Sequence, residues 1–270
     1  MLLQNKNALV YGGGGLLGGA IARAFANAGA HVFVTGRHIS PVKKLVGEIL
    51  ASGGKAEAAE VNALDQQAIN NHIEGLAARF GAVDISFNAI GIGSPPNTLM
   101  INLSLDEFLD PINLAMKSQF LTATAAARVM VKQGSGVILS ITSTAGGTAY
   151  PMLGPYGPIQ SAIESFSRSL ASELGPYGVR VVNIRSGGSP DSGTFVNAMA
   201  QIGEVVTNNI LKKLADDTML KMLPMVADIA NVSVFLASDK ANKITGTTID
   251  VTCGTTNALN YKPNFQKHSA

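Results

Sequence analysis

The 270-residue chain is 46% hydrophobic and 14% charged, enough apolar material to bury a large core in one enzyme-sized domain, and its net charge of +2 with no lysine or arginine stripe argues against a nucleic-acid partner. Cys253 is the only cysteine and His31, His38, His72 and His268 are scattered, so neither an internal disulfide nor a metal site is expected. No apolar run is long enough to span a bilayer and the N-terminus has no signal-peptide pattern, which makes a cytoplasmic location the expectation.

Asn7-Ala8-Leu9-Val10 has the apolar character of a buried parallel strand, and from Leu16 the apolar residues Ile21, Phe25 and Ala28 recur at helical spacing. Between them lies Tyr11-Gly12-Gly13-Gly14-Gly15-Leu16-Leu17-Gly18-Gly19. Strand, glycine turn and helix in this order form a phosphate cradle, because glycines let the backbone approach a pyrophosphate and the helix start offers free N–H groups. The flanks distinguish it from a flexible glycine linker.

A second strand is expected at Ala30–Thr35, and Ser40-Pro41 is expected to open a helix with a capping hydroxyl and a proline at the first position. Lys55–Val61 reads as a strand, Asp65–Phe80 as a helix, Val83–Asn88 as a strand, and Ser104 to Lys132 as a long helix. Gly136–Ile141 is a strand, followed by a loop and a helix through Ala162, Phe166, Leu170 and Leu174. Val179–Ile184 and Thr247–Val251 are the last strands. Strands alternating with helices predict an α/β fold with a doubly wound parallel sheet covered on both faces. No linker divides the chain, so residues 1–270 read as a single domain.

The stretch from Ser186 to Pro224 interrupts the alternation and reads either as a substrate lid or as an irregular surface loop with a short helix. Met199, Met219, Met222 and Met225 would line an adaptable wall in the first case and serve as ordinary core in the second. Cys253 is expected to be a buried, inert thiol.

The glycine turn, Asn88-Ala89-Ile90-Gly91 after the fourth strand, Ser143 after the fifth and Tyr156 beyond it resemble the short-chain dehydrogenase/reductase family, and the similarity runs from Lys6 to Gly254. The resemblance implies a Rossmann-like sheet of seven strands, an NAD(H) or NADP(H) cofactor, a small-molecule substrate and assembly into homotetramers or dimers. It also implies a cofactor site at Gly12, Gly14, Gly15, Leu16 and Leu17, at Asn62 beside the adenine, at Asn88, Ala89 and Gly91, and at Gly187 and Ser189 after the sixth strand. Where the family places an acid to prefer NAD, this chain has Gly36-Arg37-His38. A guanidinium without a carboxylate suits a ribose 2′-phosphate and predicts NADP(H).

Of the family's catalytic residues, Ser143 and Tyr156 are in place, thirteen residues apart, as a substrate-positioning hydroxyl and a proton donor or acceptor. Four residues after the tyrosine the family has lysine, and here stands Gln160. An ammonium ~4 Å from a phenolate stabilises it by up to ~4 kcal/mol at an effective dielectric of about 20, whereas glutamine contributes only a dipole. Gln160 keeps the same helix face and retains donors for a ribose, but a phenol with no cation beside it stays protonated near pH 7. Such a site donates a proton in reduction and accepts one poorly in oxidation. Arg185 and Lys212 are the candidate replacement cations. The family's asparagine falls on Ala115, and Asn113, two residues earlier, points to nearly the opposite helix face.

Two functional classes follow. One is an NADP(H)-dependent reductase of a carbonyl, imine or activated alkene. The other is a non-redox protein on the same scaffold, either a cofactor-binding subunit or an isomerase, cyclase or lyase. The tail at 255–270 reads as a cap on a neighbouring subunit or as disordered chain.

Overall fold

The computed structural model describes residues 1–91, 93 and 98–257. Its seven strands are β1 (Asn7–Tyr11), β2 (His31–Gly36), β3 (Lys55–Glu60), β4 (Ile85–Asn88), β5 (Gly136–Ser143), β6 (Val179–Ser186) and β7 (Thr247–Val251). All pair in parallel in the order β3-β2-β1-β4-β5-β6-β7. The order reverses between β1 and β4, and the crevice at the carboxyl ends of those strands is where such sheets take ligands.

Alternation along the strands divides the core. Ala8 and Val10 join Val32, Val34 and Phe87 against α1 (Leu16–Asn27), α2 (Ile39–Ala51) and α8 (Val226–Ala237). Leu9, Tyr11, Phe33 and Ile138 face the other way, against α3 (Gln66–Phe80), α4 (Leu105–Gln133) and α5 (Tyr156–Leu174). The period-two pattern thus feeds two apolar layers, as a sheet covered on both faces requires. The helix ends are set locally. Asp65 accepts the N–H groups of Gln67 and Ala68 at the start of α3, and Ser104 forms a capping box with Glu107 at the start of α4.

Several expected boundaries move. β2 is displaced by one residue and β4 begins at Ile85 rather than Val83. β5 and β6 each run two residues beyond the apolar segments, with Thr142 opposite Arg185 and Ser143 opposite Ser186. Helix α2 starts at Ile39, so Ser40 lies inside its first turn and does not cap it; Pro41 stands third, not first. The Ile39 N–H is instead taken by the carboxylate of Glu60, at 3.1 Å. Beyond β6, α6 (Gly193–Ile202) and α7 (Glu204–Asp216) fill most of the interruption.

At the amino end of the sheet, His31 packs on Phe33 and Phe80 with centroids 4.5 and 5.1 Å away, and the Nε2 of His72 is buried without a partner among the described residues. Burial lowers the pKa of both imidazoles, and Arg79 acts in the same direction while Glu57 opposes it. The unfolded chain therefore takes up protons before the folded one. Stability from these groups is complete above the unfolded value of about 6.5 and is lost as pH falls toward the folded values. The urea midpoint is expected to drop between pH 7.5 and pH 5.5, and His72→Gln to reduce that drop; a parent midpoint unchanged over this interval would contradict the assignment.

Candidate active site

The glycine turn is built for close backbone approach. Gly12 has φ +76°, and a Cβ there would stand 2.7 Å from the Ala89 carbonyl oxygen. A Cβ on Gly18 would overlap the Gly12 carbonyl oxygen, so helix α1 must start with its backbone against the turn. Gly15 is the N-cap of α1 and no side chain caps that end, which leaves a helix N-terminus open to an anion. Leu16 is half exposed and Leu17 packs on the core. A dinucleotide pyrophosphate fits this cradle.

Arg37 and His38 are exposed between β2 and α2, and Arg37 makes no ion pair among the described residues. Glu60 brings a carboxylate to the same place, because Gly36 and Glu60 are register partners across β2 and β3. The acid missing from the end of β2 is thus supplied by its neighbour. Strand pairing, not chain order, was the signal for it.

Asn62 holds the Leu64 N–H through its side-chain oxygen at 3.1 Å. Asn88 does not offer its side chain to a cofactor. Its Nδ2 donates to Thr122 Oγ1 at 2.9 Å and its Oδ1 accepts the Ile90 N–H at 3.0 Å, so it shapes the turn through Ala89 and Gly91.

Ser143 ends β5, and its Oγ accepts the Ala145 N–H at 3.2 Å. Tyr156 opens α5 with Pro158 third in the helix, where a missing N–H costs nothing, so the phenol stands at the helix entrance as expected. Gln160, one turn on, is 3% exposed, and its Oε1 accepts the Ser143 N–H at 3.1 Å. The glutamine therefore does what a lysine cannot, accepting a hydrogen bond from the strand end. Its Nε2 makes no hydrogen bond among the described residues.

Ala115 is fully buried against Ile159 and Ile163, and Asn113 is exposed. The Ala115 carbonyl is occupied by Ser118 Oγ at 2.9 Å. α4 thus supplies neither an asparagine side chain nor a free carbonyl at this level.

Neither candidate cation is free. Lys212 is exposed and paired with Asp216 at 2.8 Å. Arg185 donates through Nε to Glu164 Oε1 at 2.9 Å, through Nη2 to Glu164 Oε2, and through Nη1 to Asp250 at 3.0 Å. Glu164 also accepts from Thr142 Oγ1 at 3.0 Å. Glu164 and Asp250 hold the guanidinium pKa above its ordinary value. A Cβ on Gly146 would meet Glu164, and one on Gly147 would meet Arg185, so the loop after Ser143 lies directly on this ion pair. Sequence reading missed Glu164; its i,i+8 spacing from Tyr156 was the available signal.

After β6, Gly187 is wedged between Pro224 and Thr252, and the buried hydroxyls of Ser189 and Thr252 have no partner among the described residues. An unpaired buried hydroxyl at Ser189 suits the carboxamide of a nicotinamide. Asp191 instead accepts the Val226 N–H at 3.0 Å and ties this turn to α8. Met219, Met222 and Met225 are about half exposed, which removes them from the core. Cys253 is only partly buried, and its surroundings and Asp228 raise its pKa, keeping it a thiol. A cavity of about 370 Å³ beside the loop that follows Ser143 is lined by Met100, Ala145, Tyr150, Leu153 and Ser161. Among the described residues no cluster of histidine, cysteine and acidic side chains is suited to a metal, and no helix is long and apolar enough to cross a membrane.

The family model described as enoyl-(acyl carrier protein) reductase matches residues 16–256. The 7alpha-hydroxysteroid dehydrogenase of Escherichia coli K12 is 30% identical over 258 residues, covering 96% of this chain and 97% of the relative. The chain belongs to the short-chain dehydrogenase/reductase family. The 3-oxoacyl-[acyl-carrier-protein] reductase FabG of Aquifex aeolicus is also 30% identical, over 253 residues, 93% of this chain and 98% of the relative. A short-chain type dehydrogenase/reductase from Mycobacterium ulcerans superimposes with a TM-score of 0.87 at 26% identity, over 96% of this chain and 92% of that one. Within this short-chain dehydrogenase/reductase, the seven-stranded parallel sheet and its flanking helices follow the family.

Proposed function

We propose that this short-chain dehydrogenase/reductase is an NADP(H)-dependent, cytoplasmic oxidoreductase that reduces a carbonyl, imine or activated alkene of a small molecule. The observation that carries the reading is the Gln160 bridge: an uncharged side chain ties the strand end at Ser143 to the helix that bears Tyr156. When bound, a reduced nicotinamide supplies the hydride. Ser143 Oγ positions the substrate heteroatom, Tyr156 donates its phenolic proton to that atom, and Gln160 Nε2 holds a ribose hydroxyl. Gln160 in place of the family's lysine supports the reductive direction.

Gly12, Gly14, Gly15, Leu16 and Leu17 hold the pyrophosphate, Asn62 the adenine, the Ala89–Gly91 turn the adenosine side, and Gly187 and Ser189 the carboxamide. Arg37 is the partner for a 2′-phosphate, with His38 beside it. Glu60 favours a second reading of the cofactor, since its carboxylate would accept the ribose hydroxyls of NAD(H). Residues 1–270 act as one domain, with 186–224 as the lid. The alanines at 123 and 125–127 of α4 are buried within the subunit and offer no contact face; the exposed Leu109, Leu114 and Phe120 of the same helix support a homo-oligomer. Residues 258–270 of the tail lie outside the described residues.

The non-redox reading rests on the same departures at Gln160 and Ala115. Loss of NADPH absorbance with a panel of ketones, aldehydes, imines and enones separates the classes, with product formed one-to-one in the oxidoreductase. In parallel titrations, Arg37→Ala is expected to weaken NADPH at least about tenfold and leave NADH unchanged, since it removes charge-assisted bonds to phosphate alone. Equal weakening of both nucleotides would move the preference away from Arg37.

A further inference from the structure

Glu164 lies two helical turns after Tyr156 and one turn after Gln160, on the face that α5 buries. The two side chains converge: a Cβ on Gly146 would stand 2.5 Å from Glu164 Oε1 and 3.2 Å from the Gln160 Cβ. The carboxylate is only partly saturated. Among the described residues, Oε1 accepts from Arg185 Nε and Thr142, whereas Oε2 accepts from Arg185 Nη2 alone. A carboxylate has about four lone-pair sites, so one remains on Oε2. The cluster of Glu164, Arg185 and Asp250 carries two negative charges against one positive.

We propose that Glu164 is a positioning residue that holds a cation placed at position 160 away from the Tyr156 phenol, so that a lysine introduced there alone does not bring its ammonium to the phenol. Residues four apart on a helix are neighbours, and in this dry compartment an ammonium at 160 has a carboxylate with a vacant lone pair within its reach. It completes the cluster to neutrality there and is drawn away from the phenol. The neutral Gln160, with its oxygen turned to the Ser143 N–H, is the side chain this arrangement accommodates. The charged groups around this face are Glu164 on α5, Arg185 on β6 and Asp250 on β7; β5 presents Thr142 and Ser143, and α4 presents Ala115, with Asp106, Glu107, Asp110 and Lys117 exposed. A lysine at 160 therefore does not by itself restore a phenolate. Lysine together with a neutral residue at 164 does.

Only the role of Tyr156 as proton donor is taken from the proposed function, and the test needs neither cofactor nor substrate. Tyrosinate absorbance is titrated in Gln160→Lys and in Gln160→Lys/Glu164→Gln, each minus its own Tyr156→Phe version. The Tyr156 midpoint is expected to stay within about half a unit of the parent in the single variant and to fall by about one to two units in the double. A fall in the single variant as large as in the double overturns the proposal, as does a double variant that stays with the parent. Should the Glu164→Gln background lose its fold, Gln160→Lys/Glu164→Leu/Arg185→Met removes the ion pair as a unit, and the same two outcomes apply. A purely structural Glu164 would change stability in these variants without separating the two midpoints.

Discussion

Arg185→Met is expected to destabilise the protein by about 3–5 kcal/mol, more than any change on its exposed surface. The guanidinium is 15% exposed and stands between Glu164, 5% exposed, and Asp250, 29% exposed. Removing it leaves the carboxylates of Glu164, midway along α5, and Asp250, on β7, without their shared counterion, with Glu164 almost cut off from water. Glu164→Leu should cost less, about 2 kcal/mol, because Arg185 keeps Asp250 as a partner. The double variant Glu164→Leu/Arg185→Met should be more stable than Arg185→Met alone, since it removes the stranded charge along with its counterion. Urea unfolding of the three variants measures this directly. Equal losses for the two single changes, adding up in the double, would mean that the pair is not coupled.

Gly18→Ala is expected to abolish nucleotide binding, lowering NADPH affinity by at least about a hundredfold. The added methyl would overlap the Gly12 carbonyl oxygen, a backbone atom that cannot rotate aside, and so must push α1 off the turn that forms the cradle. A displacement of that kind spoils the approach of the N–H groups to a pyrophosphate even if the sheet survives. Gly75→Ala supplies the contrast. Gly75 lies inside α3 with nothing within 4 Å of an added Cβ, so the substitution should stabilise by about 0.5–1 kcal/mol through helix propensity and leave binding untouched. Fluorescence titration with NADPH separates them; full affinity in a folded Gly18→Ala protein would show that the turn does not hold the cofactor.

The layered fold was legible because its signals are local. Apolar segments such as Val32-Phe33-Val34 and the glycine turn after Tyr11 state their own geometry, and Pro158 forced Tyr156 to the helix entrance. The resemblance put the family's asparagine at Ala115 and helix periodicity turned Asn113 to another face; in the structure Ala115 is buried and Asn113 exposed. What was not legible depends on pairing between distant segments. Glu60 reaches the start of α2 only because β3 lies beside β2, so the first turn of that helix needs no capping by Ser40. Arg185 looked like a spare cation because neither Glu164 nor Asp250 is near it in the chain. Asn88 is consumed by Thr122 for the same reason. Charges and amides are the residues whose roles sequence leaves open, because their partners are set by tertiary contact.

In the proposed mechanism Ser143 and Tyr156 supply what reduction requires, and Gln160, whose Oε1 accepts the Ser143 N–H, ties the strand end to the helix that bears the phenol.

The central claim is that Tyr156 delivers the proton beside a neutral Gln160. It is tested most directly by comparing the parent with Tyr156→Phe in substrate-dependent NADPH consumption at pH 7, with NADPH affinity measured on the same samples. The account predicts one-to-one consumption and product formation in the parent, and a fall in kcat of about a hundredfold or more in the variant with unchanged NADPH affinity. Undiminished turnover in Tyr156→Phe would place the proton donor elsewhere and contradict it.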